Sequence, residues 1–200
     1  VIIKTPAIVC AIRAHGEHGA IVRVMTPEHG LIAGYVRGAK SRTMRPVLIA
    51  ANDVEAEFRV RVPGQLPSLT VELLKSRAPL LGEALSAAAL EWVTALTAST
   101  LPEEHPYPAI HEALDGVISA IEMAPTARRW AAAVGAFERL VMRSLGYGGE
   151  MPSMSEDWDA VLAGLQVNGV QLSRHIFVDR KADILSARER MVERLKRAVA

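Results

Sequence analysis

Residues 20–46 read AIVRVMTPEHGLIAGYVRGAKSRTMRP, and the reading of this stretch decides the fold. Ile21, Val22, Val24 and Met25, then Leu31, Ile32, Tyr35 and Val36, form two short β-prone runs. Between them Thr26-Pro27-Glu28-His29-Gly30 has turn chemistry, so the two runs predict a hairpin. The hairpin leads into a turn-rich loop in which Arg37, Lys40, Arg42 and Arg45 place four cations within nine residues and no acid among them. Such a loop is expected to meet something anionic. Gly34 and Gly38 permit a bend or the close approach of another group.

Working outward, the apolar run Ala7-Ile8-Val9-Cys10-Ala11-Ile12 predicts a first strand over 6–13. After Pro46, residues 47–50 are a short apolar piece. Over 53–62, Val54, Ala56, Phe58, Val60 and Val62 alternate with Glu55, Glu57, Arg59 and Arg61, the period-two pattern of a strand with one wet face. Pro63-Gly64 turns the chain and residues 69–74 supply another strand. Five or six short strands within about 75 residues are spaced as in all-β barrels, and closure removes exposed edges.

From Pro79 the pattern becomes helical. Leu85, Ala88, Ala89, Trp92, Val93 and Leu96 form one stripe within 81–100. Ile110, Leu114, Val117, Ile118 and Ile121 form a second within 107–123. A third helix can start at Pro125 and carries Trp130, Val134, Phe137, Leu140, Val141 and Leu145 inward. Gly146-Tyr147-Gly148-Gly149 stops it. Ser155 is expected to cap a fourth helix that ends at Asn168-Gly169, and 170–178 reads as a short fifth. The last helix runs from Asp183 with Ile184, Leu185, Arg188, Met191, Val192, Leu195 and Val199 on one stripe. The fold class is therefore α+β: a small β barrel over 1–78, and an α-helical bundle over 79–200.

Charge divides the same way. The net charge of +1 conceals +5 over residues 1–78, −8 over 79–179 and +4 over 180–200. A polyanion is expected at the basic end. Arg13, Arg23, Arg59 and Arg61 extend the basic loop if they share its side. Loops and open faces of such barrels bind oligonucleotides. With few aromatic residues in this segment, binding is expected to rest on phosphate contacts, with a single-strand salt slope on the order of −3 to −4. In the last helix, Arg188, Arg190, Arg194, Lys196 and Arg197 either extend such a path or solvate a core helix, and the second reading is favoured.

Other chemistries find little support. Gly34, Gly38, Lys40 and Ser41 resemble a phosphate loop only superficially, since Ala39 separates glycine from lysine and no helical pattern follows. His15, Glu17 and His18, with Glu28 and His29, do not have the spacing of a known metal-ligand set, and a metal-dependent hydrolase is the least favoured function. One cysteine, Cys10, excludes an intrachain disulfide framework and reads as a buried small hydrophobe. The chain shows no secretory leader and no apolar run approaching the roughly 18 residues of a membrane span, so the expected setting is soluble, reducing and cytoplasmic. No cofactor, metal or catalytic residue is expected.

The combination of Ala7-Ile8-Val9, Gly16-Glu17, Ile21-Val22, Thr26-Pro27-Glu28-His29-Gly30-Leu31, Gly38-Ala39-Lys40-Ser41-Arg42, Leu66-Pro67-Ser68-Leu69-Thr70 and Glu72 resembles the N-terminal OB-fold domain of the bacterial recombination mediator family RecO. Phe137-Glu138 and Leu145-Gly146-Tyr147-Gly148 resemble that family's helical domain. The resemblance implies binding to single- and double-stranded DNA, annealing of complementary strands, and work with RecR and the tail of the single-stranded DNA-binding protein to place RecA on gaps. It implies no catalytic residues and a nucleoid-associated location. Many members carry a four-cysteine zinc module after the Leu-Gly-Tyr segment; this chain has no cysteine there and resembles a short form without it. Arg128, Arg129, Arg139 and Arg143, chosen by charge, are the expected partner-tail contacts. An alternative is a non-catalytic adaptor whose basic barrel meets acidic protein surfaces.

Overall fold

The computed structural model describes residues 1–124, 126–148, 157–178 and 181–199, with two compact units, Val1–Gly82 with Leu101–His111 and Glu83–Thr100 with Glu112–Ala200. The first unit is a closed barrel of β1 (Ile2–His15), β2 (Gly19–Thr26), β3 (Gly30–Val36), β4 (Asp53–Arg59) and β5 (Ser68–Lys75) in the order β1-β2-β3-β5-β4. All neighbours are antiparallel except β3 and β5. Strand β1 serves two partners: Ile2–Ile8 pair with β4, and Ile8–His15 with β2, with a bulge between Val9 and Ala11. A bulge lets one long strand bend around a small barrel.

Alternation sorts the strands as expected. Val22 and Val24 of β2, Ile32 of β3, Val54 and Phe58 of β4 and Val71 of β5 share the interior core. The period-two run ends sooner than the sequence implies: β4 stops at Arg59, and Val62 is 48 % exposed in the turn to β5. Pro63 and Gly64, the latter at φ +80°, bend the chain there, so Val62 never reaches the interior. Barrel closure depends on Gly34, because a Cβ at that position would lie 2.6 Å from the Leu69 Cβ and 3.1 Å from the Phe58 ring. The expected close approach is therefore the β3–β5 seam.

Residues 37–52 form successive turns with no sixth strand. Met44, Val47 and Leu48 pack against the barrel core. Buried Asn52 ties the loop down: its Nδ2 donates to the Pro46 and Val47 carbonyls, both at 3.0 Å, and its Oδ1 accepts from the Arg77 N–H at 2.7 Å. Arg77, itself buried, donates to the Asp53 carboxylate at 2.7 Å. Segment 101–111 joins this unit through the Glu104 N–H, which donates to the Leu31 carbonyl at 2.8 Å. Gly30, at φ +70°, lies directly under the His105 carbonyl, so the β2–β3 turn also serves as a docking point.

The second unit contains α1 (Ala84–Thr100), most of α2 (Pro108–Met123), α3 (Ala127–Ser144), α4 (Trp158–His175) and α5 (Lys181–Val199). The stripes read from the sequence bury their central residues, Trp92 and Leu96, Leu114 and Ile118, Val134 and Phe137, Met191 and Leu195, while Leu140, Leu145, Ile184, Leu185 and Val192 are only partly buried. Helix α4 corrects two expectations. Its N-cap is Asp157, whose carboxylate accepts from the Ala160 N–H at 3.0 Å, while Pro125, Ser155, Glu156 and Gly149 lie outside the described residues. Asn168-Gly169 does not end it, and 170–178 is not a separate helix. Asn168 Nδ2 donates instead to the Gly135 carbonyl at 3.0 Å and to Glu138 at 2.9 Å. Gly169 leaves space for the Arg188 guanidinium, which would stand 2.5 Å from a Cβ there. Tertiary packing thus takes over two residues whose local chemistry favours a helix end.

Candidate nucleic-acid interface

Arg37, Lys40, Arg42 and Arg45 are all exposed on the β3–β4 loop. Gly38, at φ +68°, starts the first turn. The Ser41 hydroxyl accepts from the Met44 N–H at 3.2 Å, Arg45 Nε donates to the Lys40 carbonyl at 3.0 Å, and Lys40 Nζ reaches the Gly16 carbonyl at 3.5 Å. These bonds hold the loop in a defined form and draw it toward the β1–β2 turn.

The barrel register places the other cations. Arg59 of β4 pairs with Ser68 of β5, Ser68 with Tyr35 of β3, Tyr35 with Ile21 of β2, and Ile21 with Arg13 of β1. Paired residues share a face of the sheet, so Arg59, Ser68, Tyr35, Ile21 and Arg13 form one continuous row on the outer surface. Four strand spacings make it about 19 Å long. The row ends near the β1–β2 turn on one side and the β4–β5 turn, with exposed Arg61, on the other. Tyr35 lies over Gly19, where any Cβ would collide with its hydroxyl, and its ring meets His15 edge-on at 6.0 Å. Val36 follows Tyr35 and leads directly into Arg37, so row and basic loop are contiguous.

Two of the predicted cations are engaged. Arg59 bonds Glu57 at 2.8 Å, and Arg23, two residues along β2 from Ile21, bonds Glu103 at 2.9 Å. Arg23 is thereby tied to the 101–111 segment. Exposed pairs of this kind are weak and exchange readily for a stronger anion. Sequence reasoning missed Ser68 and Ile21 as members of the row, because neither carries a charge and only pairing reveals them.

In the second unit, Arg128 and Arg129 stand at the N-terminal end of α3 and Arg139 and Arg143 at its C-terminal end. Eleven residues of helix separate Arg128 from Arg139 by about 16 Å. Arg128 lies over the Trp158 ring at 5.7 Å. The four arginines therefore do not make a single site. In α5, Arg188 is buried against Glu138, Arg190 bonds Glu91 at 2.8 Å, Arg194 donates to the Ala84 carbonyl at 2.7 Å and Arg197 bonds Glu193 at 3.1 Å. Four of the five cations named for this helix thus have partners within the protein, and Lys196 is exposed.

Among the described residues, no group of three His, Cys, Asp or Glu side chains is placed to hold a metal ion. No described helix is long and apolar enough to cross a membrane. Cys10 is buried, and desolvation pushes its thiol up to about 12.

Residues 1–77 match the family model described as Recombination protein O N terminal. A DNA repair protein RecO from Rhodospirillum centenum is 30 % identical over 238 aligned positions, covering 96 % of this chain and 94 % of that protein. The chain belongs to the RecO family. That alignment is longer than the 200 residues present here, so the relative carries residues without a counterpart in this chain. The DNA repair protein RecO of Caulobacter vibrioides is 35 % identical over 143 residues, 71 % of this chain. That of Methylorubrum extorquens is 38 % identical over 146 residues, 70 % of this chain. These two alignments span 58 % and 56 % of the relatives' own lengths. The five-stranded barrel followed by helices is the OB-fold and helical architecture expected from the RecO resemblance.

Proposed function

We propose that this RecO protein is a non-catalytic DNA repair mediator that binds single-stranded DNA along the outer row Arg13–Ile21–Tyr35–Ser68–Arg59 and on Arg37, Lys40, Arg42 and Arg45. The observation that carries the reading is the row itself: register aligns Arg13 and Arg59, 46 positions apart in the sequence, on one surface that continues into the basic loop. It lies between the β1–β2 and β4–β5 turns, the region of an OB-fold that receives oligonucleotides. Arg61 extends the path at one end, and Arg23 joins it when Glu103 is displaced.

Neutralising phosphates on two strands lowers their mutual repulsion, which gives annealing without chemistry or cofactor. Double-stranded DNA is bound through the same phosphate contacts. In repair, the protein works with RecR and with the tail of the single-stranded DNA-binding protein to place RecA on coated gaps, in the cytoplasm and at the nucleoid. Arg128 and Arg129, or Arg139 and Arg143, are the cations available for an acidic tail.

The test is fluorescence anisotropy of a labelled single-stranded oligonucleotide at several salt concentrations, beside a variant with Arg37, Lys40, Arg42 and Arg45 changed to Ala. Each phosphate contact on a single strand contributes about −0.7 to the salt slope, so the variant should flatten it by about 2.8. Equal slopes would remove the loop from the interface. Absence of binding by both proteins, with a RecR complex intact, would instead make the barrel an adaptor for acidic protein surfaces.

A further inference from the structure

The link between α1 and α2 carries charge of the opposite sign onto the barrel. Residues 101–108 read LPEEHPYP, with two carboxylates, three prolines and no Lys or Arg. Strand β3 pairs with β2 along its whole length but with β5 only at Tyr35, so buried Leu31 has a second edge that needs a partner. The link supplies it: Glu103 bridges Leu31 in parallel, and the Glu104 N–H donates to the Leu31 carbonyl at 2.8 Å. One residue on, the His105 carbonyl sits on Gly30, where any Cβ would collide with it.

The path of this strap is fixed by more than those bonds. Glu104 has φ +58°, a left-handed conformation that a residue other than glycine keeps only where its surroundings enforce it. Pro102, Pro106 and Pro108 restrict the backbone on either side. The Glu103 carboxylate is therefore delivered to one place, where it accepts from Arg23 Nε at 2.9 Å. Arg23 follows Ile21 by two residues on β2, so it shares the outer face and stands about 7 Å along the strand from the row. Both side chains of the pair are half-exposed, 46 % for Arg23 and 42 % for Glu103, so an outside anion can reach the guanidinium.

We propose that Glu103 is an internal substitute for phosphate, held on the strap so that nucleic acid must displace it to engage Arg23. The bound strand takes the guanidinium, the carboxylate turns to solvent, and the strap backbone stays on β3. The contact lowers the affinity of the barrel for any strand that extends past the row, which keeps that end of the site exchangeable. This rests on the proposed DNA-binding function and deepens it by giving the same site a built-in competitor.

The experiment uses the full chain and labelled (dT)20, with Glu103→Gln, Glu104→Gln, Arg23→Gln and Arg23→Gln/Glu103→Gln, each shown to be folded by thermal melting. Glu103→Gln should tighten binding by about two- to five-fold, the range of an exposed ion pair. Glu104→Gln removes the same charge one residue on, from a carboxylate that bonds nothing among the described residues, and should tighten it less. In the Arg23→Gln background the gain from Glu103→Gln should shrink to that of Glu104→Gln, and Arg23→Gln itself should flatten the salt slope by about 0.7. Glu103→Gln binding as the wild type does, or gaining as much without Arg23 as with it, would overturn the competitor and leave the barrel row standing. Failure of the wild type and Glu103→Gln alike to bind (dT)20 would overturn the DNA reading and this inference with it.

Discussion

Replacing Arg188 by leucine removes one member of a buried cluster in which α1, α3, α4 and α5 meet. The Glu138 carboxylate accepts from Trp92 Nε1 at 2.8 Å, Asn168 Nδ2 at 2.9 Å, Arg188 Nε at 2.7 Å and Arg188 Nη2 at 3.0 Å. Without Arg188 the carboxylate stays fully buried with two neutral donors, and breaking a buried pair in this way costs about 3–5 kcal/mol. The Leu165 carbonyl also loses the Arg188 N–H that donates to it. For a chain of this size, 1 kcal/mol corresponds to about 2–4 °C, so the melting temperature should fall by about 6–20 °C. Glu138→Leu/Arg188→Leu removes both charges, and part of the loss should return, with a coupling energy of at least about 2 kcal/mol. All three tryptophans, Trp92, Trp130 and Trp158, belong to the helical unit, so urea unfolding followed by their fluorescence reports on that unit. A loss below about 1 kcal/mol for Arg188→Leu, or a double variant equal to the sum of the singles, would refute the argument that this pair organises the bundle.

Three further outcomes follow from the barrel. Gly34→Ala should destabilise it by about 1–3 kcal/mol, since the new methyl group meets Leu69 and Phe58; an unchanged melting curve by circular dichroism would mean the β3–β5 seam yields freely. Asn52→Ala removes a donor from the Pro46 and Val47 carbonyls and an acceptor from the Arg77 N–H, at a cost of about 2–4 kcal/mol, and should speed tryptic cleavage within 37–45. Cys10 should resist a thiol reagent at pH 8 until the protein unfolds. Because its pKa is raised from 9.0 to about 12, its contribution to stability is fully present below pH 9 and is lost as pH rises toward about 12; Cys10→Ala should flatten that alkaline fall.

Much of the architecture was legible because period and turn chemistry are local properties. Residues 20–36 are two β-prone runs around a Thr-Pro-Glu-His-Gly turn and form β3 and nearly all of β2, and Trp92, Leu114, Phe137 and Leu195 of the helical stripes are buried as their spacing requires. Asn168-Gly169 misled for the same reason: the pair has the local chemistry of a helix end, while its use is to meet Glu138 and admit Arg188 from elsewhere in the chain. Val62 misled in the opposite direction, since alternation continues past the point at which the chain turns away from the interior.

The sequence by itself determined the two kinds of secondary structure, the uncompensated charge of Arg37, Lys40, Arg42 and Arg45, and the absence of any close match to a phosphate-loop motif. Only the tertiary structure decided which other side chains stand beside that charge. Arg13 and Arg59 are 46 positions apart and enter one row because β3 closes on β5, a register set by the Gly34 contact and the twist of the whole sheet. Glu103 reaches Arg23 because segment 101–111 docks on β3. Spacing along the chain fixes which face a residue takes, and closure and packing fix which faces meet.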